Sequence, residues 1–559
     1  MCLVTTPTLL ADELLELCCD ADPVRATLQG VRDRDDRLPD VRAQAEAALR
    51  DRGEDIRVRA MGLDTSRADL EDRLTVAVVV HQAQVLVDRF DSFAPEYSVV
   101  GNLLAPLAGL LFHLGEVPVA DAGQARDFLT RLRRFPQFTE ALAQRHREGV
   151  VAGRVPVRPL LDDAVRHIDD QLAAPETNPL LGPDLPDAEL EAERKRLLAD
   201  VVHPALRRYR AVLAAEIAPH ARPAERPGLC WLPDGREIYR RLVRAHTTTD
   251  RDPRELHAVG LDRLDALRQE FSEVGARALG LDDPAAILRR LNEDPALFWR
   301  DGEELLSSAR AAIARADRAA PAWFGALPRQ RCEVRPMPGT PSPSAPAGCY
   351  LSPALDGSRP GVFYANTHQA ERRQRFLSEV CAFHEVVPGH HVQLSLALER
   401  DDLPLLRRLM TITAYSEGWG LYTERLADEM GLYSDDLARL GMVAVDALRA
   451  ARLVVDTGLH EFGWSREQAV EFLGTRTALP PLEAAAEVDR YIVHPAQALS
   501  YLVGRLEIER VRDAARRRLG PDFDIRRFHD VVLGHGPLPL STLDTLVAEE
   551  LAGPPATSR

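Results

Sequence analysis

Apolar residues recur at steps of three and four along most of the chain, the period of helices with one buried face. ADELLELCCDAD (11–22) shows this period, and LTVAVVVHQAQVLVDRF (74–90) is apolar on nearly every side. LDDAVRHIDDQL (161–172) and AELEAERKRLLADVVHPALRRYRAVLAAEI (188–217) are long and amphipathic, with a kink or break expected at Pro204. In DRDPRELHAVGLDRLDAL (250–267), Asp252 is placed to cap, Pro253 suits the first turn, and Glu255 completes a capping box. The pattern changes at 321–370. Prolines 321, 328, 336, 338, 341, 343, 346, 353 and 360 forbid long helices there. QRCEVRPM (330–337), CYLSPA (349–354) and GVFYANT (361–367) read as short strands, and ALDGSRPG (354–361) as the turn between the last two. Helical spacing returns at about 370 and runs to STLDTLVAEELAG (541–553), where Ser541 and Asp544 are expected to cap. The expected fold is mainly α, a large multi-helix structure with a small β-sheet just before the helix at 370–387. Its parts are a helical region at 1–320, the sheet region at 321–370 and a second helical region at 371–559, in one continuous unit. No fixed-period repeat occurs.

Composition narrows the classes. Of 559 residues, 45% are hydrophobic and 28% charged, which describes a globular protein and excludes a disordered one. A net charge of −16 argues against a nucleic-acid partner. Nearly all basic residues are arginine, Lys195 being the only lysine, so clusters such as RLRRF (131–135) read as solvated helix faces. No apolar run approaches the roughly 20 residues that span a bilayer. The N-terminal stretch lacks a positive region and carries acids from Asp12, and the seven cysteines show no paired spacing. These features place the protein in the cytoplasm, with reduced thiols and no membrane partner.

The candidate chemistry lies in HEVVPGHH (384–391). Zinc-peptidase helices carry H-E-x-x-H, but here Pro388 stands where the second histidine belongs. Six or seven helical residues rise roughly 9–10.5 Å, too far for two imidazoles to share one ion. Pro388 breaks the helix, and Gly389 is free to take a positive φ, so a two-residue bulge can return His390 or His391 to the side of His384. A third ligand is available in TAYSEGWGLYTERLADEM (413–430). Glu417 and Glu424 are seven apart on one helix face, and Glu417 sits among small and aromatic residues. Two histidines and a carboxylate leave an open zinc position, the arrangement of a catalytic site. Glu385 would then be the general base.

HEVVPGHHVQ, SEGWGLYTE, RYIVHPAQALSYLVGRLEI (490–508) and YRRLVRAHTTTDRDPRELHAVGL (239–261) together resemble the bacterial family of domain of unknown function 885. The resemblance spans most of the chain. It implies a relation in fold to the carboxypeptidase Taq-type zinc metallopeptidases, whose HExGH and trailing glutamates fall on His384, Glu385, Gly389, His390, Glu417 and Glu424. It favours His390 over His391, because a glycine directly precedes the second ligand in those enzymes. The two-residue insertion is the departure, and it bears on the register of that ligand. The resemblance further implies one Zn2+ per chain and a deep cleft admitting small peptides. It places the segment 490–508 at the site, with Tyr501 as oxyanion donor and Tyr491, His494, Gln497 and Arg505 near the substrate. Tyr364 and its strand are expected to offer an edge to a bound peptide, and Glu424 to support the ligands from behind. His246 reads as a helix-end or supporting residue. His460, His529 and His535 read as structural. Two other readings fit the same residues: a metal-dependent hydrolase of another amide or ester, and a non-catalytic peptide-binding relic whose histidines stand more than about 6 Å apart.

Overall fold

The computed structural model describes residues 6–101, 104–337, 347–355, 357 and 359–552. Pro338, Pro341, Pro343 and Pro346, and Asp356 and Ser358 of the expected turn, lie outside the described residues. The protein is mainly α-helical, as the apolar spacing predicts, and the helices expected near residues 11, 74, 161 and 250 form at Pro7–Ala21, Leu70–Phe90, Arg158–Ala173 and Pro253–Leu279. Asp252 does cap the last of these, accepting from the Arg254 amide, but Glu255 pairs with Arg251 instead of closing a capping box. At Pro204 the helix runs on, because a π-helical turn at Leu198–Val202 absorbs the misfit just before it. The last helix, Leu540–Glu550, has no side-chain cap. Ser541 and Asp544 lie inside it, and Asp544 pairs with Arg510.

Three strands form one sheet in the order β1 (Glu333–Pro336), β3 (Val362–Ala365), β2 (Gly348–Leu351). β1 runs parallel to β3 and β2 antiparallel to it, with Tyr350 opposite Phe363. GVFYANT therefore supplies the central strand, not an edge, and the free edges belong to β1 and β2. Strand order depends on the whole fold, and sequence adjacency does not reveal it. The following helix starts at Ser378, later than its apolar spacing suggests. Residues 373–374 are drawn out by pairing with 298–299, so only two 3-10 turns form before it.

The cores mix distant parts of the chain. Leu14, Val79 and Ala309 share an apolar cluster with Phe383, Trp419 and Val532, while Tyr239, Leu256, Val454 and Tyr491 belong to a second. A third cluster, including Leu129, Leu161, Leu206 and Ile217, is built within residues 24–218. The expectation of solvated arginine faces fails at Arg131, which is fully buried and donates to the carbonyls of Pro23, Arg34 and Arg37 and to the Thr27 hydroxyl. Acceptors from residues remote in sequence make that burial tolerable.

In the second core Asp456 is fully buried and accepts hydrogen bonds from the Tyr239 hydroxyl and the Ala496 amide. Burial pushes its carboxyl up from 3.8 to about 7. The folded protein thus holds this proton more tightly than the unfolded chain does. The stabilising contribution is complete below about pH 4, declines as pH rises, and is lost once pH passes 7. Denaturant unfolding of wild type and Asp456→Asn at pH 4 and pH 8 should show the wild type losing about 4 kcal/mol relative to the variant. A difference that does not change with pH would refute the raised pKa.

Candidate metal centre

The helix Ser378–Glu385 ends because Val386 leaves helical geometry (φ −117°, ψ −92°), and the Val387–Pro388 peptide is cis. A new helix, His390–Leu398, starts directly afterwards. Gly389 bridges the two at φ −79°, ψ −132°, so the positive φ expected of it is not used. Its lack of a side chain matters for another reason. A Cβ there would lie 1.8 Å from the His384 carbonyl oxygen and 2.5 Å from that of Phe383. The indole of Trp419 fixes the turn from the far side, its Nε1 donating to the Pro388 carbonyl at 3.1 Å.

The break brings together side chains that a straight helix would keep apart. The ligand atoms of His384, His390 and Glu417 lie within 4.8 Å of one another. Glu417 Oε2 is 3.7 Å from His384 Nε2 and 3.5 Å from His390 Nε2. The two imidazole rings meet edge to face, with centroids 4.7 Å apart. Bonds of 2.0–2.2 Å to one ion require donor atoms roughly 3–3.5 Å apart, so the set fits a divalent cation. His391 is not part of it. Its Nδ1 accepts from the Tyr350 hydroxyl at 2.9 Å, and its Nε2 donates to the Gln330 carbonyl at 2.9 Å. Adjacent helical residues point about 100° apart, and the register set by the break gives the inward direction to His390.

Behind the triad, Glu424 Oε1 is 2.8 Å from His384 Nδ1. The two glutamates, seven residues apart on the helix Thr413–Glu429, thus hold opposite nitrogens of one ring. Burial alone would lower the His384 pKa, but hydrogen bonds to both carboxylates outweigh it and hold it well above 6.5. Glu417 is half-buried, and although desolvation would raise its pKa, its hydrogen bonds to His384 and His390 keep its carboxyl far below the usual range. His390 Nδ1 is 3.5 Å from Gln393 Oε1, and the Gln393 amide donates to Ser416 Oγ. Glycines allow the close approach of these elements. A Cβ on Gly420 would stand 2.6 Å from the His384 ring, and Gly418 packs against Gly504 of the helix Ser500–Leu519, with no room for a side chain on either.

Glu385 follows the first ligand and accepts from the backbone N–H of Tyr350 in β2. Burial raises its pKa, although both histidines oppose the rise. Tyr501 lies one turn before Gly504, close enough to Glu417 to feel its charge, and burial raises its phenol to about 12. Gln497 Nε2 donates to the Tyr501 hydroxyl at 3.4 Å. Three expectations are corrected. Tyr491 is fully buried, its hydroxyl bonded to Glu487 and Arg452, so it offers nothing to a substrate. Arg505 is fully buried against Asp446 at 2.8 Å. Tyr364 stands in the central strand with Arg335 as its partner. His494 meets His246 edge to face, with centroids 5.2 Å apart.

Sequence reasoning missed the arginines around Tyr501. Arg449 and Arg452 cover its ring at 4.5 and 4.7 Å, and Arg490 donates to Gln497 Oε1 at 2.7 Å. The only signal was the i, i+3 spacing of Arg449 and Arg452, which looks the same on a solvated face.

The sequence as a whole supports a family assignment. The family described as "Bacterial protein of unknown function (DUF885)" matches residues 23–547. The chain belongs to the DUF885 family. No curated protein matches it. Among solved structures, the DUF885 chain is similar to a protein from Colwellia psychrerythraea described as a candidate lipoprotein. Sequence identity is 27%, TM-score 0.89, and the alignment covers 98% of this chain and 100% of that one. A protein from Shewanella oneidensis, described as a candidate lipoprotein of unknown function, shares the fold at 18% identity and TM-score 0.74, with 98% and 100% covered. The description of the Colwellia protein as a lipoprotein overturns the cytoplasmic placement. The N-terminal composition on which that placement rested is a weak guide to export. Among the described residues no helix is long and apolar enough to cross a membrane.

Proposed function

We propose that this protein is a metal-dependent peptidase, with zinc as the favoured ion and a short peptide as substrate. The reading rests on one observation, the convergence of His384, His390 and Glu417 beside Glu385. Two imidazoles and a carboxylate suit zinc. When bound, such an ion supplies Lewis acidity on the open side of the triad and lowers the pKa of a water there.

The chain's own residues account for the other requirements of the reaction. Glu385, with its raised pKa, takes the proton of the attacking water and delivers it to the leaving nitrogen. Tyr501 keeps its proton at neutral pH and donates to the oxyanion formed from the scissile carbonyl. Glu424 fixes the ring orientation of His384, so that Nε2 faces Glu417. β2 is an edge strand whose Tyr350 amide already faces Glu385, and it can receive an extended peptide by strand addition. The wide separation of histidines on which a relic would rest is not found, since the donor atoms lie within 4.8 Å.

Glu385→Gln tests the assignment of the base. The variant should bind metal as the wild type does while kcat for peptide hydrolysis falls by roughly 10²–10⁴-fold, the usual contribution of a positioned acid–base group. Hydrolysis at the wild-type rate would remove Glu385 from the mechanism.

A further inference from the structure

Between Glu487 and Tyr501 runs a row of side chains whose hydrogen-bond polarity is fixed at every step. Glu487 accepts from Arg490 twice, from Nε at 3.1 Å and from Nη2 at 3.0 Å. Arg490 Nη1 donates to Gln497 Oε1 at 2.7 Å. A guanidinium has donors only, so the amide oxygen of Gln497 must face it and the amide nitrogen must face away. That nitrogen, Nε2, lies 3.4 Å from the Tyr501 hydroxyl. The phenol oxygen is therefore an acceptor, and its own proton is left over. Among the described residues no hydrogen bond takes that proton up.

The backbone holds Gln497 in this place. It follows Ala496, whose φ of 69° is left-handed, a conformation rare outside glycine. Asp456 fixes that residue, each carboxylate oxygen accepting from the Ala496 amide at 3.1 Å. Such strain persists only where the surroundings enforce it. Here it sets the Gln497 side chain between Arg490 and Tyr501, with both ends of its amide engaged inside the protein.

We propose that Gln497 and Arg490 are positioning residues for Tyr501: by supplying a donor to its oxygen, they leave the phenol proton for the oxyanion of the substrate. This rests on the peptidase reading above. The 3.4 Å contact is long, and hydrogen bonds among catalytic groups commonly tighten once substrate is bound.

Gln497→Glu reverses the polarity with almost no change of shape. The introduced carboxylate still pairs with Arg490, but its second oxygen accepts the phenol proton and withdraws it from the site. For peptide hydrolysis kcat should fall about 10²–10³-fold, as in Tyr501→Phe, the usual effect of losing an oxyanion donor. KM and zinc content should stay near the wild-type values. The double variant should be no slower than Tyr501→Phe, because both changes remove the same proton. Gln497→Leu removes the donor without taking the proton and should cost only roughly three- to tenfold, the effect of one neutral hydrogen bond. Circular dichroism checks that the variants fold.

Raman spectra of the metal-free protein need no turnover. The tyrosine Fermi doublet reports whether a phenol accepts or donates, and subtracting the matching Tyr501→Phe spectrum isolates this one ring. The doublet should move from the acceptor side toward the donor side in Gln497→Glu. If it does so in a protein that hydrolyses no peptide, the peptidase reading falls and the orientation of Tyr501 stands without it. An unshifted doublet, wild-type turnover in Gln497→Glu, or losses that add in the double variant would overturn the proposal.

Discussion

Glu417→Ala and His390→Ala should each be purified with far less than the roughly one equivalent of zinc expected of a His–His–Glu set, whereas His391→Ala should match the wild type. The geometry separates two neighbours in sequence. His390 faces Glu417 at 3.5 Å, while both ring nitrogens of His391 are engaged by Tyr350 and Gln330. Removing one of three protein ligands costs a metal site most of its affinity. The loss also appears as stability. A ligand present at 100 times its Kd stabilises the folded state by about 2.7 kcal/mol, so zinc should raise the melting temperature of wild type and His391→Ala and leave that of Glu417→Ala unmoved. Elemental analysis and thermal melts with and without a chelator make the measurement. Full metal content in Glu417→Ala would mean that the ion, if any, sits elsewhere.

Parts of this site were legible before the fold. The dipeptide Pro388-Gly389 showed that the histidine spacing demanded a break, because an uninterrupted helix forbids a shared ion. The seven-residue interval between Glu417 and Glu424 placed both on one face, and both do reach His384. What could not be read was direction across elements. The choice between His390 and His391 turns on a rotation of about 100° per residue, set by backbone angles at 386–389. Tyr491 and Arg505 share a segment with Tyr501, yet they face Glu487 and Asp446, and those partners come from distant parts of the chain. The arginines were misjudged for the same reason. A sequence shows that Arg131 or Arg452 lies on an amphipathic helix, but not that carbonyls or a carboxylate wait to receive it. The sheet reveals a similar boundary: three strands were visible, but their order was not, so an edge was assigned to Tyr364's strand, whereas the edges belong to β1 and β2.

Gly389→Ala should damage both the fold and the metal site, because the fold-back of the chain depends on that position having no side chain. A Cβ is fixed by the backbone and has no rotamer to escape into. At Gly389 it would fall 1.8 Å from the His384 carbonyl oxygen and 2.4 Å from its carbonyl carbon. Relief requires moving either residue 389 or the last turn of the His384 helix. The first is held by the Trp419–Pro388 hydrogen bond and the second by the contacts of His384 with Glu417 and Glu424. Overpacking of this kind typically costs about 1–3 kcal/mol, and more where backbone meets backbone. The same shift carries His390, the next residue, away from its partners, so the variant should lose its metal as well as stability. Gly474→Ala is the control. Gly474 lies within the helix Arg466–Arg476 and a Cβ there would meet nothing within 4 Å. That substitution should stabilise by roughly 0.5–1 kcal/mol through helix propensity and leave metal content untouched. Denaturant unfolding and zinc content of the two variants decide the matter. If Gly389→Ala binds zinc and unfolds as the wild type does, the chain does not turn back here in the way that unites the two histidines.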